Sequence, residues 1–73
     1  MTNAVTARSL RRMKIELKAL AEEVFETADE AARWLRRPHP MLGGETPLGC
    51  AKSIYGAERV RDILLSIKYG HVA

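Results

Sequence analysis

Seventy-three residues, 47% of them hydrophobic and 29% charged, with one cysteine and a net charge of +3, make one small domain. A chain this short buries only about 60% of its unfolded surface, so its core is marginal and a second chain would help hold it. Barrels and doubly wound sheets need well over about 100 residues, and pocket-bearing enzyme folds of that kind are excluded.

Cys50 has no partner for an internal disulfide, which suits a reducing cytoplasm. No apolar run exceeds three residues, far short of the roughly 20 of a membrane span. Met1-Thr2-Asn3-Ala4 shows no basic region leading into an apolar stretch, so no secretory signal is expected.

Charge falls in blocks. Residues 1–20 hold Arg8, Arg11, Arg12, Lys14 and Lys18 against Glu16 alone, a net of +4. Residues 21–32 hold Glu22, Glu23, Glu26, Asp29 and Glu30 and no cation, a net of −5. Arg33, Arg36 and Arg37 then restore positive charge. Alternating blocks suit pairing between helices or between chains better than a one-sided nucleic-acid surface.

Periodicity predicts an all-α chain: a small bundle of about four helices, with a long N-terminal helix and a protruding C-terminal tail. The first helix is predicted from about Ala7 to Phe25, with Thr6 as N-cap. Leu10, Met13, Leu17, Leu20 and Val24 recur every three or four residues, an a/d seam. Ile15 lies off that seam. Thr27-Ala28-Asp29-Glu30 forms a capping box opening a second helix, with Ala31, Trp34 and Leu35 as its apolar face and Pro38 as its stop.

Residues 38–45 read as a loop stiffened by Pro38 and Pro40 and turned by Gly43 and Gly44. Thr46-Pro47 opens a short third helix, expected from Pro47 to Ile54 and ended by Tyr55-Gly56. The fourth is expected from about Ala57 to Lys68, burying Val60, Ile63, Leu64 and Ile67 at i, i+3, i+4, i+7, with Gly70 as its C-terminal cap. The N-terminal helix, residues 1–23, is expected either to pack on the core or to pair two chains, and residues 24–73 are read as a separate binding segment.

Little here suggests catalysis or cofactors. Cys50, His39 and His71 contain no close pair of the kind a zinc site needs, and Cys50 reads as a small apolar core residue. Ser9, Ser53 and Ser66 have no nucleophile turn or histidine partner. Gly43-Gly44 leads into Glu45 rather than the Lys-Ser/Thr of a phosphate loop. No metal, no cofactor and no enzymatic activity are expected.

DNA contact through Arg8, Arg11, Arg12 and Lys18 is the functional rival, set against a plain solvated face. The nearly cancelling Glu58, Arg59, Arg61 and Asp62 make a poor recognition helix. Trp34 and Tyr55 read as core or interface residues. Lys68, Tyr69 and His71 fit either a frayed terminus or a tail inserted into a partner.

The segments "WLRRPHPMLGGETPL", from Trp34 to Leu48, and "YGAERVRDILLSIKYGHVA", from Tyr55 to Ala73, resemble the antitoxin Xre/MbcA/ParS toxin-binding domain. That family shows Phe-Gly-Asp, an Ala-rich helix, Trp-Leu, Pro-Asn, Leu-Gly-Gly-x-Thr-Pro, Gly-Ala-x-x-Val and Tyr-Gly in order. Phe25, Ala32, Trp34, Leu35, Pro38, Leu42, Gly43, Gly44, Thr46, Pro47, Gly56, Ala57, Val60, Leu64, Ile67, Tyr69 and Gly70 stand in those places. Glu26-Thr27 replaces Gly-Asp, His39 replaces Asn, Gly49-Cys50 replaces a larger pair, and Ser66 stands where Arg is common.

The resemblance implies a type II antitoxin that neutralises a cognate RES-domain toxin, an NAD⁺-consuming protein, by placing its last helix and tail at the toxin's active-site entrance. It implies partner contacts from Trp34, Leu42, Gly43, Gly44, Thr46, Pro47, Arg61, Lys68, Tyr69, Gly70 and His71. It is also compatible with a homodimer or larger hetero-oligomer. Only 23 residues precede Val24, so the helix-turn-helix of longer members is not carried over.

Overall fold

A computed structural model of the chain describes residues 2–70, with side chains from residue 8 onward. Its elements are helices α1 (Thr2–Phe25), α2 (Ala28–Arg36), α3 (Pro47–Cys50) and α4 (Ile54–Tyr69), with a 3₁₀ turn at Pro40–Leu42. The all-α expectation holds. Three boundaries differ from it.

α1 begins at Thr2 rather than beside Thr6. A threonine caps a helix only where the chain before it leaves helical geometry, and residues 2–5 contain no glycine or proline to force that. α3 is a single turn, and α4 starts three residues before the expected Ala57. Ser53 is the reason: its hydroxyl accepts the Gly56 amide at 3.1 Å and caps α4.

Gly56 therefore does not end a helix; it lets two elements touch. A Cβ there would lie 1.8 Å from the Cys50 carbonyl oxygen, so only glycine permits α4 to start against the end of α3.

The turn between α1 and α2 is tight. Glu26 sits in the left-handed region at φ 70°, a conformation costing a side-chain-bearing residue about 1–2 kcal/mol and one that suits the glycine usual in the resembling family. Thr27 then caps α2, accepting the Glu30 amide at 3.1 Å. α2 folds back along α1. α4 runs alongside α1 in the same direction, with Arg61 beside Met13 and Glu16 and Lys68 beside Glu23.

The core lies where these elements meet. Leu17 and Ala21 of α1, Ala31 and Leu35 of α2, Leu42, Ala51, and Ala57, Val60 and Leu64 of α4 are buried. Leu10, Met13, Leu20, Val24, Phe25, Trp34, Cys50 and Ile63 pack partly buried around them. The a/d seam of α1 faces inward as its spacing requires, and Ile15 is 65% exposed.

The expected burial of α4 fails at its last turn, where Ile67 is 45% exposed. Tyr55, at 72% exposure, is a surface residue. Among the described residues, no helix is long and apolar enough to cross a membrane.

Candidate partner-binding surface

The segment from Arg37 to Thr46 is held by its own backbone. The His39 amide donates to the Glu45 carbonyl at 3.0 Å, while the His39 carbonyl accepts from Leu42 at 3.0 Å and Gly44 at 3.2 Å. The His39 Nδ1 accepts the Met41 amide at 3.2 Å and caps the 3₁₀ turn, the role a side-chain amide plays where the family has Asn. Gly43 and Gly44 follow at φ 64° and 86°, angles that a Cβ would strain. Thr46 caps α3 by accepting the Gly49 amide at 2.9 Å, and Pro47 sits in the first turn, buried.

Two contacts fix this loop to the bundle. The Arg59 guanidinium donates to the Met41 carbonyl at 2.8 Å. Trp34 stands between Phe25, at 5.6 Å between ring centroids, and His39, at 5.7 Å and edge-on.

Burial sorts the residues expected at the interface. Leu42 and Pro47 are buried in the core, so their side chains shape the loop from beneath. The exposed apolar side chains are instead Met41, at 65%, and Leu48. A tight turn buries only one of two neighbouring apolar residues, and composition does not say which. Gly43 and Gly44 are exposed, and Trp34 and Thr46 are half-buried.

Arg61 faces α1 rather than this loop, in a hollow with Met13, Glu16, Leu17 and Leu20. Arg8, Arg11, Arg12 and Lys18 are exposed along α1. With α3 only one turn long, α3 and α4 do not form a helix-turn-helix pair.

Gly70 ends the helix α4. It takes φ 68° and its amide donates to the Ser66 carbonyl, and Ser66 Oγ donates to the Asp62 carbonyl at 2.9 Å. The Lys68 ammonium is drawn back onto α1, 2.6 Å from Glu23 Oε1, and lies 5.2 Å from the centre of the Tyr69 ring. The hydrogen bond to Glu23 raises the Lys68 pKa above the ordinary 10.5, partly opposed by desolvation.

Lys68 is therefore a tethered cation and not a freely presented one. Tyr69, 61% exposed, leads the surface here, beside exposed Ile67. His71 lies outside the described residues. Sequence spacing gave no sign of Glu23, which is 45 residues from its partner.

The end of α1 joins the two regions: Glu23 holds Lys68, and Phe25 packs on Trp34. Exposed aromatic and aliphatic groups stand on a rigid frame, and among the described residues no three His, Cys, Asp or Glu side chains cluster as metal ligands.

The family described as the antitoxin Xre/MbcA/ParS C-terminal toxin-binding domain matches residues 20–70. The chain belongs to this family. The match takes in the end of α1, the Trp34–His39 corner, the glycine loop and all of α4. A curated relative, Antitoxin Xre of Pseudomonas putida, is 36% identical over 55 residues, 75% of this chain. The chain spans about a third of that relative's length, 35%. No solved structure matches.

Proposed function

We propose that this chain is a type II antitoxin without enzymatic activity of its own. It binds a cognate RES-domain toxin in the cytoplasm and prevents that toxin from consuming NAD⁺. The last turn of α4, with Ile67, Lys68, Tyr69 and Gly70, sits at the toxin's active-site entrance, and His71 follows it inward. Trp34, Gly43, Gly44 and Thr46 shape the adjoining contact surface, while Leu42 and Pro47 hold that surface from beneath.

The observation that carries this reading is the end of α4. A helix stopped by Gly70 presents Tyr69 and Ile67 to solvent, on a turn anchored to α1 through Lys68 and Glu23. Exposed aromatic groups on a preorganised frame are efficient binding anchors, since little freedom is lost on docking. Family membership supports a toxin as the partner.

Co-expression with the toxin gene tests it. The pair is expected to co-purify, and NAD⁺ consumption by the toxin to be suppressed. Tyr69→Ala combined with removal of residues 71–73 is expected to restore NAD⁺ consumption while leaving the helical circular-dichroism signal unchanged. Full inhibition by that folded variant overturns the entrance-blocking mechanism. Failure of the unaltered pair to co-purify overturns the choice of partner.

A further inference from the structure

The outward side of α4 carries a row of residues that the core does not use. Tyr55, Arg59, Asp62, Ser66 and Tyr69 follow at intervals of four, three, four and three, so they stand along one face of a single helix. Buried Ala57, Val60 and Leu64 occupy the opposite face. In the outward row Ser66 is half-buried and the others are exposed. The row begins and ends on an exposed tyrosine. From Tyr55 to Tyr69 it runs about 21 Å at 1.5 Å per residue.

The last turn of α4 is too small to hold a partner by itself. A wholly covered tyrosine buries about 150–250 Å², whereas a stable interface takes roughly 800 Å² from each side. Ile67 is already partly covered by the fold. Gly43 and Gly44 offer no side chain, and Trp34 and Thr46 are half-buried.

At the other end of the row stand the groups that can make up the area. Tyr55 is exposed on the first turn of α4, and Met41 is exposed in the 3₁₀ turn. The Arg59 guanidinium, one turn after Tyr55, donates to the Met41 carbonyl at 2.8 Å and so fixes Met41 beside the row. Tyrosine, methionine and arginine are enriched in protein-binding surfaces. Their base is firm, because Gly56, next to Tyr55, packs on Cys50 too closely to admit a Cβ. Anchors held this way lose little freedom on docking.

We propose that the toxin lies along the whole outward face of α4 and is gripped at a second point, Tyr55 with Met41, about 21 Å from Tyr69. This rests on the reading of Tyr69 as the entrance-blocking group and divides the work between the two tyrosines. Tyr55 supplies affinity, and Tyr69 supplies the block. The matching toxin surface is an apolar cleft for the Tyr55 ring and the Met41 thioether. A carboxylate or carbonyl at its edge accepts from the Tyr55 hydroxyl and from the Arg59 N–H groups not turned to Met41. Charge favours a protein surface as the occupant: Arg59 and Asp62 cancel within the row and Glu58 is exposed nearby, which suits neither phosphates nor an anionic membrane.

Displacement of a labelled wild-type chain from the co-purified toxin by unlabelled variants, read beside NAD⁺ consumption, tests this. Tyr55→Ala is expected to displace at least about tenfold less well than wild type, while an excess of it still suppresses NAD⁺ consumption fully. Met41→Ala is expected to weaken displacement in the same way. Both variants should keep the wild-type circular dichroism and urea midpoint, since both side chains are exposed.

A Tyr55→Ala chain that displaces as well as wild type overturns the second anchor and leaves the entrance block standing. Normal displacement with lost suppression assigns Tyr55 to the entrance itself and overturns it too. Sedimentation of the chain alone that changes with Tyr55→Ala, at unmoved toxin affinity, gives the surface to a second copy, with the same consequence. Failure of the entrance reading shows elsewhere, as full suppression by the folded Tyr69→Ala variant without residues 71–73, and takes the division of roles with it.

Discussion

The two ends of α4 are built on opposite terms. At the first, Gly56, Ala57 and Val60 are buried, Ser53 caps the helix, and the Cys50 carbonyl lies where any side chain on Gly56 would go. At the last, Ile67 and Tyr69 are largely exposed, and Lys68 pairs with Glu23. One end is committed to folding, where close packing makes every added atom costly. The other is free to recognise something else, because little of the fold's stability passes through it.

That contrast is sharpest under Gly56→Ala. Alanine normally favours a helix by about 1 kcal/mol over glycine, but here the new Cβ would overlap the Cys50 backbone, which no side-chain rotation relieves. A loss above about 3 kcal/mol is expected, against roughly 4–11 kcal/mol for a domain of this size. A urea titration followed by circular dichroism measures it, and a loss under about 1 kcal/mol would show that the α3–α4 junction can open.

Ser53→Ala is the intermediate case. Losing the cap is expected to cost about 1 kcal/mol and to lower the urea midpoint without changing the slope. At the far end, Tyr69→Ala should leave that midpoint almost untouched while removing toxin neutralisation, which separates folding from recognition directly.

The smallest effect is the Lys68 contact. Its folded pKa is raised by the Glu23 hydrogen bond, so the stabilisation is fully present below the ordinary 10.5 and disappears as pH rises through the higher folded value. A slight alkaline loss of stability, absent in Lys68→Met, is expected in thermal melts between about pH 9 and pH 12 (roughly one and a half units either side of the ordinary lysine value). Equal alkaline loss in both proteins would show that the pair contributes nothing.

Local rules carried most of the architecture. Thr27, Thr46 and Gly70 cap or stop the helices as their spacing predicts, because a cap is made within three or four residues of itself. The inward seam of α1 was equally legible, since a helix brings i, i+3 and i+4 to one face whatever lies beyond. The site was less so. Leu42 and Met41 are adjacent and both apolar, yet one is buried and the other exposed. Arg61, expected among the partner contacts, is exposed at the edge of a hollow lined by Met13, Glu16, Leu17 and Leu20, a placement its position in the sequence does not announce.

The sequence by itself determined the helical class, the inward face of the longest helix, and the glycine-capped end of α4, all through contacts between near neighbours in the chain. Only the tertiary structure decided where α3 gives way to α4, that Gly56 serves close approach, that Ile67 is left exposed, and that Glu23 captures Lys68. Each of these depends on which distant segments meet, and spacing along a chain does not encode the distance between its far parts.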